Sequence, residues 1–369
     1  MKKRDYNLDL IKFIAIIATI SIHVLSAGSR ADLFSKTWIF FVFAGSLFRF
    51  CVPVFCMCAG YLLYTKEKID FKSIYKKIFK FFVYFILAEL MYRMISCYYV
   101  KFVFNDAVSF EAIKKDILEG NFKDHLYYIF IIIFIYAFAP VCNKFVKNEK
   151  GELKYLLGFW IFVSLTLVFI INLFNIKVLS IFRLYNLSGA YNYVLFALLG
   201  AYINKYKDKL LDKNIFYYFL GFFISYLLIV YLTISRSGEK FNSYIWDNPN
   251  ILIFGSSFTL FVMCMKIKIK NNFIKKFLEV LSKNIFGIYI FHVIFTDYIN
   301  IFKLEYINFD AWRKLFIIII EIGLVFILSF ALTFILKTIY EKILKKIFLK
   351  IEREISKNKE KYCESFSFK

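Results

Sequence analysis

Several ionisable side chains stand inside stretches of sequence that are otherwise apolar, and their types are those of proton transfer and charge neutralisation. Asp9, Lys12 and His23 fall in the run 8–28, Arg49 in 38–64, Glu89 and Arg93 in 78–100, His292 and Asp297 in 284–302, and Glu321 in 314–338, while His125 opens the run 125–142. A charge held in mid-bilayer costs roughly 2.5–3.5 kcal/mol on insertion scales, so each needs a partner, a water-filled cavity or a task. A histidine shielded from bulk water serves as general base or nucleophile. The chain has only three, His23, His125 and His292. Lys12 and His23 are eleven positions apart, which on a helix returns to within about 20° of one face and separates them by about 16 Å. Asp9, three positions before Lys12, offers it an ion pair at the helix mouth, and Glu89 and Arg93 at i,i+4 offer each other the same. Tyr289 and His292, three positions apart, share a helix face. The plain alternative for His23 and His292 is an interhelical hydrogen bond. For His125, at the head of His125-Leu126-Tyr127-Tyr128, it is a place in an interfacial aromatic belt. Neither HxxxH nor HExxH occurs, and the seven cysteines show no metal-ligand spacing, so no metal site is expected and the cysteines read as small apolar fillers.

The elements that must position these residues follow from composition. With 60% hydrophobic residues, 3 Pro and 13 Gly in 369, the chain is neither an ordinary soluble globule nor a turn-rich all-β protein. The expected fold class is all-α membrane protein, a polytopic bundle of about ten transmembrane helices. These are expected near 8–28, 38–64, 78–100, 125–142, 155–175, 190–204, 214–235, 250–266, 284–302 and 314–338. With the N-terminus in the cytoplasm, the segments on that side hold 33 basic residues and the five opposite loops hold 13. The positive-inside rule therefore puts both termini in the cytoplasm. The net charge of +22 is then an orientation signal, and the partner it implies is a lipid bilayer, with no nucleic acid. Lys2, Lys3 and Arg4 before an apolar run resemble a secretory signal, but Asp9 and Lys12 interrupt that run and favour a retained helix. Residues 1–340 read as one membrane unit, and 341–369 as a basic amphipathic tail on an anionic inner leaflet. There is no internal repeat, phosphate-binding glycine loop or dinucleotide fingerprint.

Four segments carrying these residues resemble the acyltransferase 3 family of integral membrane acyltransferases, and together they extend over nearly the whole chain. Arg4 to His23, RDYNLDLIKFIAIIATISIH, is similar to the family's opening helix, in which a basic residue, here Lys12 where arginine is commoner, precedes histidine by eleven positions. Arg49 to Leu62, RFCVPVFCMCAGYL, is similar to its run of Arg, Val-Pro, Phe and a Gly-Tyr-Leu end, with Ala59 where serine is frequent. His125 to Pro140 resembles its His-Leu-Trp-Tyr segment, with Tyr127 in the tryptophan position, and Leu281 to His292, LSKNIFGIYIFH, resembles its late signature of Ser or Gly, then Tyr and His.

The resemblance implies acyl transfer, usually of acetyl, from cytoplasmic acyl-CoA to a hydroxyl of a cell-envelope polysaccharide or lipid-linked glycan, by an enzyme of the plasma (inner) membrane. It implies His23 as base or nucleophile, Lys12 and Arg49 at the thioester or CoA end, and His125 and His292 assisting proton transfer or, with Tyr289, placing the acceptor. No bound cofactor is implied; acyl-CoA is the donor substrate and a carbohydrate the acceptor. The phosphates of the donor find Lys66, Lys68, Lys72, Lys76, Lys77 and Lys80 between the second and third expected helices, with Lys76 and Lys77 the chosen pair, although topology alone accounts for lysines there. Both an acyl relay across the membrane and direct transfer in one deep cavity fit the stripe from Lys12 to His23. Two rival functions remain at this stage. One is a secondary transporter or exporter of a small metabolite, which should show paired broken helices and a repeat. The other is a non-catalytic scaffold, which would not need His23 or His125.

Overall fold

The computed structural model describes residues 4–104 apart from 27, 29 and 30, then 111, 114, 115 and 119, then 122–176, 189–299 apart from 248, 310–339, and 342. The rest of the 341–369 tail lies outside the described residues, as does most of the expected 101–124 loop.

Among the described residues every regular element is helical. In chain order these are α1 (Tyr6–Leu25), α2 (Lys36–Ser46), α3 (Cys51–Leu63), α4 (Phe71–Phe104), α5 (Tyr127–Ala137), α6 (Ala139–Lys147), α7 (Glu152–Trp160), α8 (Val168–Leu173), α9 (Gly189–Lys205), α10 (Lys207–Asp212), α11 (Ile215–Arg236), α12 (Tyr244–Asp247), α13 (Ile251–Lys266), α14 (Asn272–Ile299) and α15 (Ala311–Ile339). A 3₁₀ turn, Asp124–Leu126, leads into α5, and a π-helical stretch, Ile161–Leu167, joins α7 to α8. Seven helical segments are long and apolar enough to cross a membrane, or eight if the bent pair α5–α6 is one span. The protein is an all-α polytopic membrane protein.

Three expected boundaries are corrected. The expected helix 38–64 is interrupted: α2 ends at Ser46, residues 47–50 form a turn, and α3 begins at Cys51. Pro53 supplies the reason, because it has no N–H for the Arg49 carbonyl four residues back and its ring crowds that carbonyl. By the same argument Pro140 bends the expected 125–142 helix by 54° between α5 and α6. The expected cytoplasmic loop 266–283 is instead largely the first three turns of α14, which starts at Asn272.

Side-chain contacts between segments far apart in sequence gather at two opposite ends of the bundle. At one end, Asp5 pairs with Lys207 at 3.2 Å, the Asn7 amide donates to the carbonyls of Cys264, Met265 and Ile267, and Asn143 donates to the carbonyl of Lys66 at 2.8 Å. At the other, Lys314 reaches Thr37 at 2.5 Å, Lys123 meets Asp297 at 3.2 Å, and Asn172 donates to the Tyr244 hydroxyl at 2.8 Å.

The tightest crossing joins α3 and α9. A Cβ on Gly60 would come within 1.7 Å of the Ala197 carbonyl oxygen, and one on Gly200 within 1.9 Å of that of Met57. Only glycine permits backbones to approach so closely, as small residues do at membrane helix interfaces. α1 is the most enclosed of the spans, whereas α11 and α15 are largely exposed and carry the apolar faces a bilayer requires. α1 lies beside α14 and runs parallel to it, since Lys12 contacts Ser282 near one end of the pair and His23 contacts His292 ten residues further along α14.

Candidate active site

All three histidines of the chain meet in one cluster. The ring centre of His23, on α1, lies 4.9 Å from that of His292 on α14 and 6.4 Å from that of His125 on the 3₁₀ turn before α5; His125 and His292 are 5.6 Å apart. His125 and His292 are buried, and His23 is partly exposed.

Backbone carbonyls fix two of the imidazoles. His292 Nδ1 lies 2.6 Å from the carbonyl of Tyr289, one turn earlier on the same helix, and His125 Nε2 lies 3.3 Å from the carbonyl of Ile290. A carbonyl only accepts, so the facing nitrogen carries the proton and the opposite ring nitrogen of each neutral imidazole keeps its lone pair. For His292 that nitrogen is Nε2, which is buried and has no hydrogen-bond partner among the described residues. An unpaired buried acceptor is costly in a structural core, and such positions concentrate where chemistry is done.

A second layer holds this geometry. The Tyr289 hydroxyl donates to the carbonyl of His125, and the Tyr92 hydroxyl, from α4, donates to that of Ile290 at 2.7 Å. Tyr289 therefore anchors the His125 turn rather than offering its hydroxyl freely. The buried Glu89 accepts the backbone N–H of Lys123 at 2.8 Å, two residues before His125, and its other oxygen lies 3.9 Å from Arg93. The i,i+4 pair expected from sequence is thus present, and it has a further duty at the His125 turn. Lys123 also reaches Asp297, five residues beyond His292 on α14, at 3.2 Å.

Arg49 sits in the turn between α2 and α3. Its Nε–H donates to the Gly45 carbonyl at 3.1 Å, and its guanidinium carbon lies 3.8 Å from the ring centre of Trp246 on α12. That turn joins two helices, α2 and α3, that both pack against α1, the helix of His23.

Lys12 is not in that cluster. Its Nζ lies 3.7 Å from Asp9 and 3.3 Å from the hydroxyl of Ser282. Asp9 in turn accepts from Arg4 at 2.6 Å. The ion pair anticipated at the helix mouth is therefore part of a larger network: Arg4 also reaches Glu279 on the partner helix α14 at 3.8 Å, and Ser282 on the same helix joins it. Lys77 lines a cleft of about 60 Å³ with Lys66, Lys68, Asp70, Ser73 and Tyr136, and its Nζ stands 5.2 Å from the Tyr136 ring centre. Lys76, one residue away on α4, is exposed and does not line that cleft.

Sequence reasoning missed Trp246, Tyr92 and the role of Glu89 at the His125 turn. Ser282 stands in the late Ser or Gly, Tyr and His signature, and the structure brings it to Lys12. Trp246 had no signal beyond being one of four tryptophans. The described cysteines are all free and most are buried, and no group of three His, Cys, Asp or Glu among the described residues is disposed to hold a metal ion.

No curated protein matches the chain, and no solved structure does. A family model described as an acyltransferase domain matches residues 5–338, a span that includes α1 to α15 almost entire and every histidine of the cluster. The chain belongs to the acyltransferase 3 family of membrane acyltransferases.

Proposed function

We propose that this protein is an O-acyltransferase of the plasma (inner) membrane that moves an acyl group, acetyl by preference, from cytoplasmic acyl-CoA to a hydroxyl of a cell-envelope polysaccharide or lipid-linked glycan. The observation that carries the reading is the meeting of the chain's three histidines around a buried, unpaired imidazole nitrogen on His292. A pure scaffold has no use for it, and a cluster of neutral imidazoles suits proton transfer to and from a hydroxyl.

His23, the most accessible of the three, takes the proton of the acceptor hydroxyl. The hydroxyl oxygen forms a bond to the thioester carbonyl carbon, the carbon–sulfur bond breaks, and the CoA thiolate leaves with its electron pair. The proton held on His23 then returns to the departing sulfur, with His292 Nε2 as an adjoining acceptor. Arg49, in the turn between the two helices that pack on α1, offsets the negative charge that builds on the carbonyl oxygen. Lys12 stands at the far end of the same α1 stripe, about 16 Å away by helical rise, where the pantetheine arm would enter. The cleft with Lys66, Lys68 and Lys77 suits the CoA phosphates, and Lys76 contributes long-range charge only. In this reading both termini lie in the cytoplasm, and transfer is direct, at the histidine cluster, with no resident cofactor.

The test is His23→Ala in cells that carry the protein, read as base-labile acyl ester on surface polysaccharide. Ester should fall to the level of a strain lacking the gene while the variant stays inserted at normal abundance. Ester at the unaltered level would remove His23 from the mechanism. A carrier would instead leave ester chemistry untouched and change the distribution of its cargo.

A further inference from the structure

The side chain that fixes Arg49 comes from a distant part of the chain. Trp246 belongs to α12, the short helix between α11 and α13, and is separated from Arg49 by nearly two hundred residues. Three features of the segment around Arg49 are fitted to that one indole. The Ser46 hydroxyl accepts the indole N–H at 3.0 Å. The guanidinium of Arg49 lies against the ring face at 3.8 Å. Gly45 leaves room for the ring edge, since a Cβ there would come within 2.9 Å of Trp246 Cη2. Positions 45, 46 and 49 lie within about one helical turn, so α2 and the turn after it form a cradle for the ring. Phe241 packs edge-on against the indole, ring centres 5.1 Å apart, and closes its other side.

The cradle leaves Arg49 little freedom. Its Nε–H is bound to the Gly45 carbonyl and one face of its guanidinium plane is covered by the indole, so the plane has a single orientation. The indole face attracts the cation, which favours this orientation of the guanidinium.

We infer that Trp246 is a positioning residue for acyl transfer: it holds the Arg49 guanidinium in the orientation that faces the reacting thioester beside His23. This rests on the role of Arg49 in the proposed function, and the two fail separately in the following experiment.

Membrane vesicles containing the full chain are assayed for transfer of labelled acetyl from acetyl-CoA to the endogenous acceptor. The variants are Arg49→Ala, Trp246→Leu, Trp246→Phe and the double variant Arg49→Ala/Trp246→Leu. Trp246→Leu should lower turnover about tenfold or more with little change in KM, the loss expected when a transition-state contact is misaligned, and Trp246→Phe should recover most of it because a ring face remains. The double variant should be no slower than Arg49→Ala alone, because without the guanidinium there is nothing left to orient. If the two losses multiply, Trp246 acts independently of Arg49 and the inference is overturned. If Arg49→Ala turns over normally, the role of Arg49 itself is wrong, whatever Trp246 does. Should Trp246→Leu not accumulate in the membrane, Ser46→Ala, which removes only the hydroxyl beneath the indole N–H, takes its place in the same cycle and is judged by the same two criteria.

Discussion

Three histidines in 369 residues, each on a different element, converge within 6.4 Å of one another between ring centres. The chemistry available at that point is set less by the imidazoles than by the carbonyls that hold them. Tyr289 serves twice, its backbone carbonyl accepting from His292 and its hydroxyl donating to the carbonyl of His125. Tyr289→Phe deletes one oxygen and leaves that second carbonyl without this donor. We expect a loss of about 1–2 kcal/mol in stability, seen as a lower unfolding temperature in detergent, together with slower transfer as the His125 turn loosens. An unchanged melting curve would mean that the hydroxyl does not support the turn. Much of this site was legible in the sequence. Histidine is scarce in an apolar chain, and the eleven-residue spacing to Lys12 marks a helix face. What could not be read was which of these residues meet. The same spacing that puts Lys12 and His23 on one stripe also keeps them about 16 Å apart, so Lys12 ends in an ion network with Asp9 and Arg4 instead of beside the histidines. Trp246 was invisible for a different reason. Its importance lies wholly in a contact with a segment two hundred residues earlier, and no local pattern records that.

Helices in this protein were easier to find than their interruptions. A hydropathy average over some nineteen residues smooths across a four-residue turn, so 38–64 reads as one unbroken helix; Lys36–Leu63 is indeed a single candidate span, but Pro53 removes a backbone bond within it and a turn at 47–50 divides it into α2 and α3. Arg49 stands in that turn. The glycines divide in the same way between those that shape an interface and those that do not. Gly60→Ala and Gly200→Ala each drive a methyl group into backbone atoms of the facing helix, which no side-chain rotation relieves. Each should cost about 3 kcal/mol or more and lower the yield of folded protein. Gly158→Ala and Gly323→Ala, whose added methyl meets nothing within 4 Å, should be neutral or slightly stabilising, by up to about 1 kcal/mol, because alanine is the better helix former. Size-exclusion profiles and melting temperatures of the four variants side by side would check this, and equal behaviour of all four would contradict the close approach of α3 and α9.

Over the whole molecule, the net charge of +22 that would suggest nucleic acid in a soluble protein is distributed as a membrane protein distributes it, with 33 basic residues on the expected cytoplasmic side and 13 opposite. If the orientation and the donor are as proposed, the Lys12 network and the lysine cleft face the pool of acyl-CoA. Sealed vesicles of inside-out orientation should therefore consume labelled acetyl-CoA added to the medium, whereas right-side-out vesicles should not until they are opened. Equal rates in both would reverse or abolish the assigned sidedness. The parallel pairing of α1 with α14 has a consequence for how the protein comes into being. His23 and His292 lie far apart in sequence, so the site proposed here exists only once α1 and α14 have docked side by side. If the proposed mechanism holds, a nascent chain that has made α1, α2 and α3 but not α14 is packed yet inert, and it spends none of the cell's activated acyl groups.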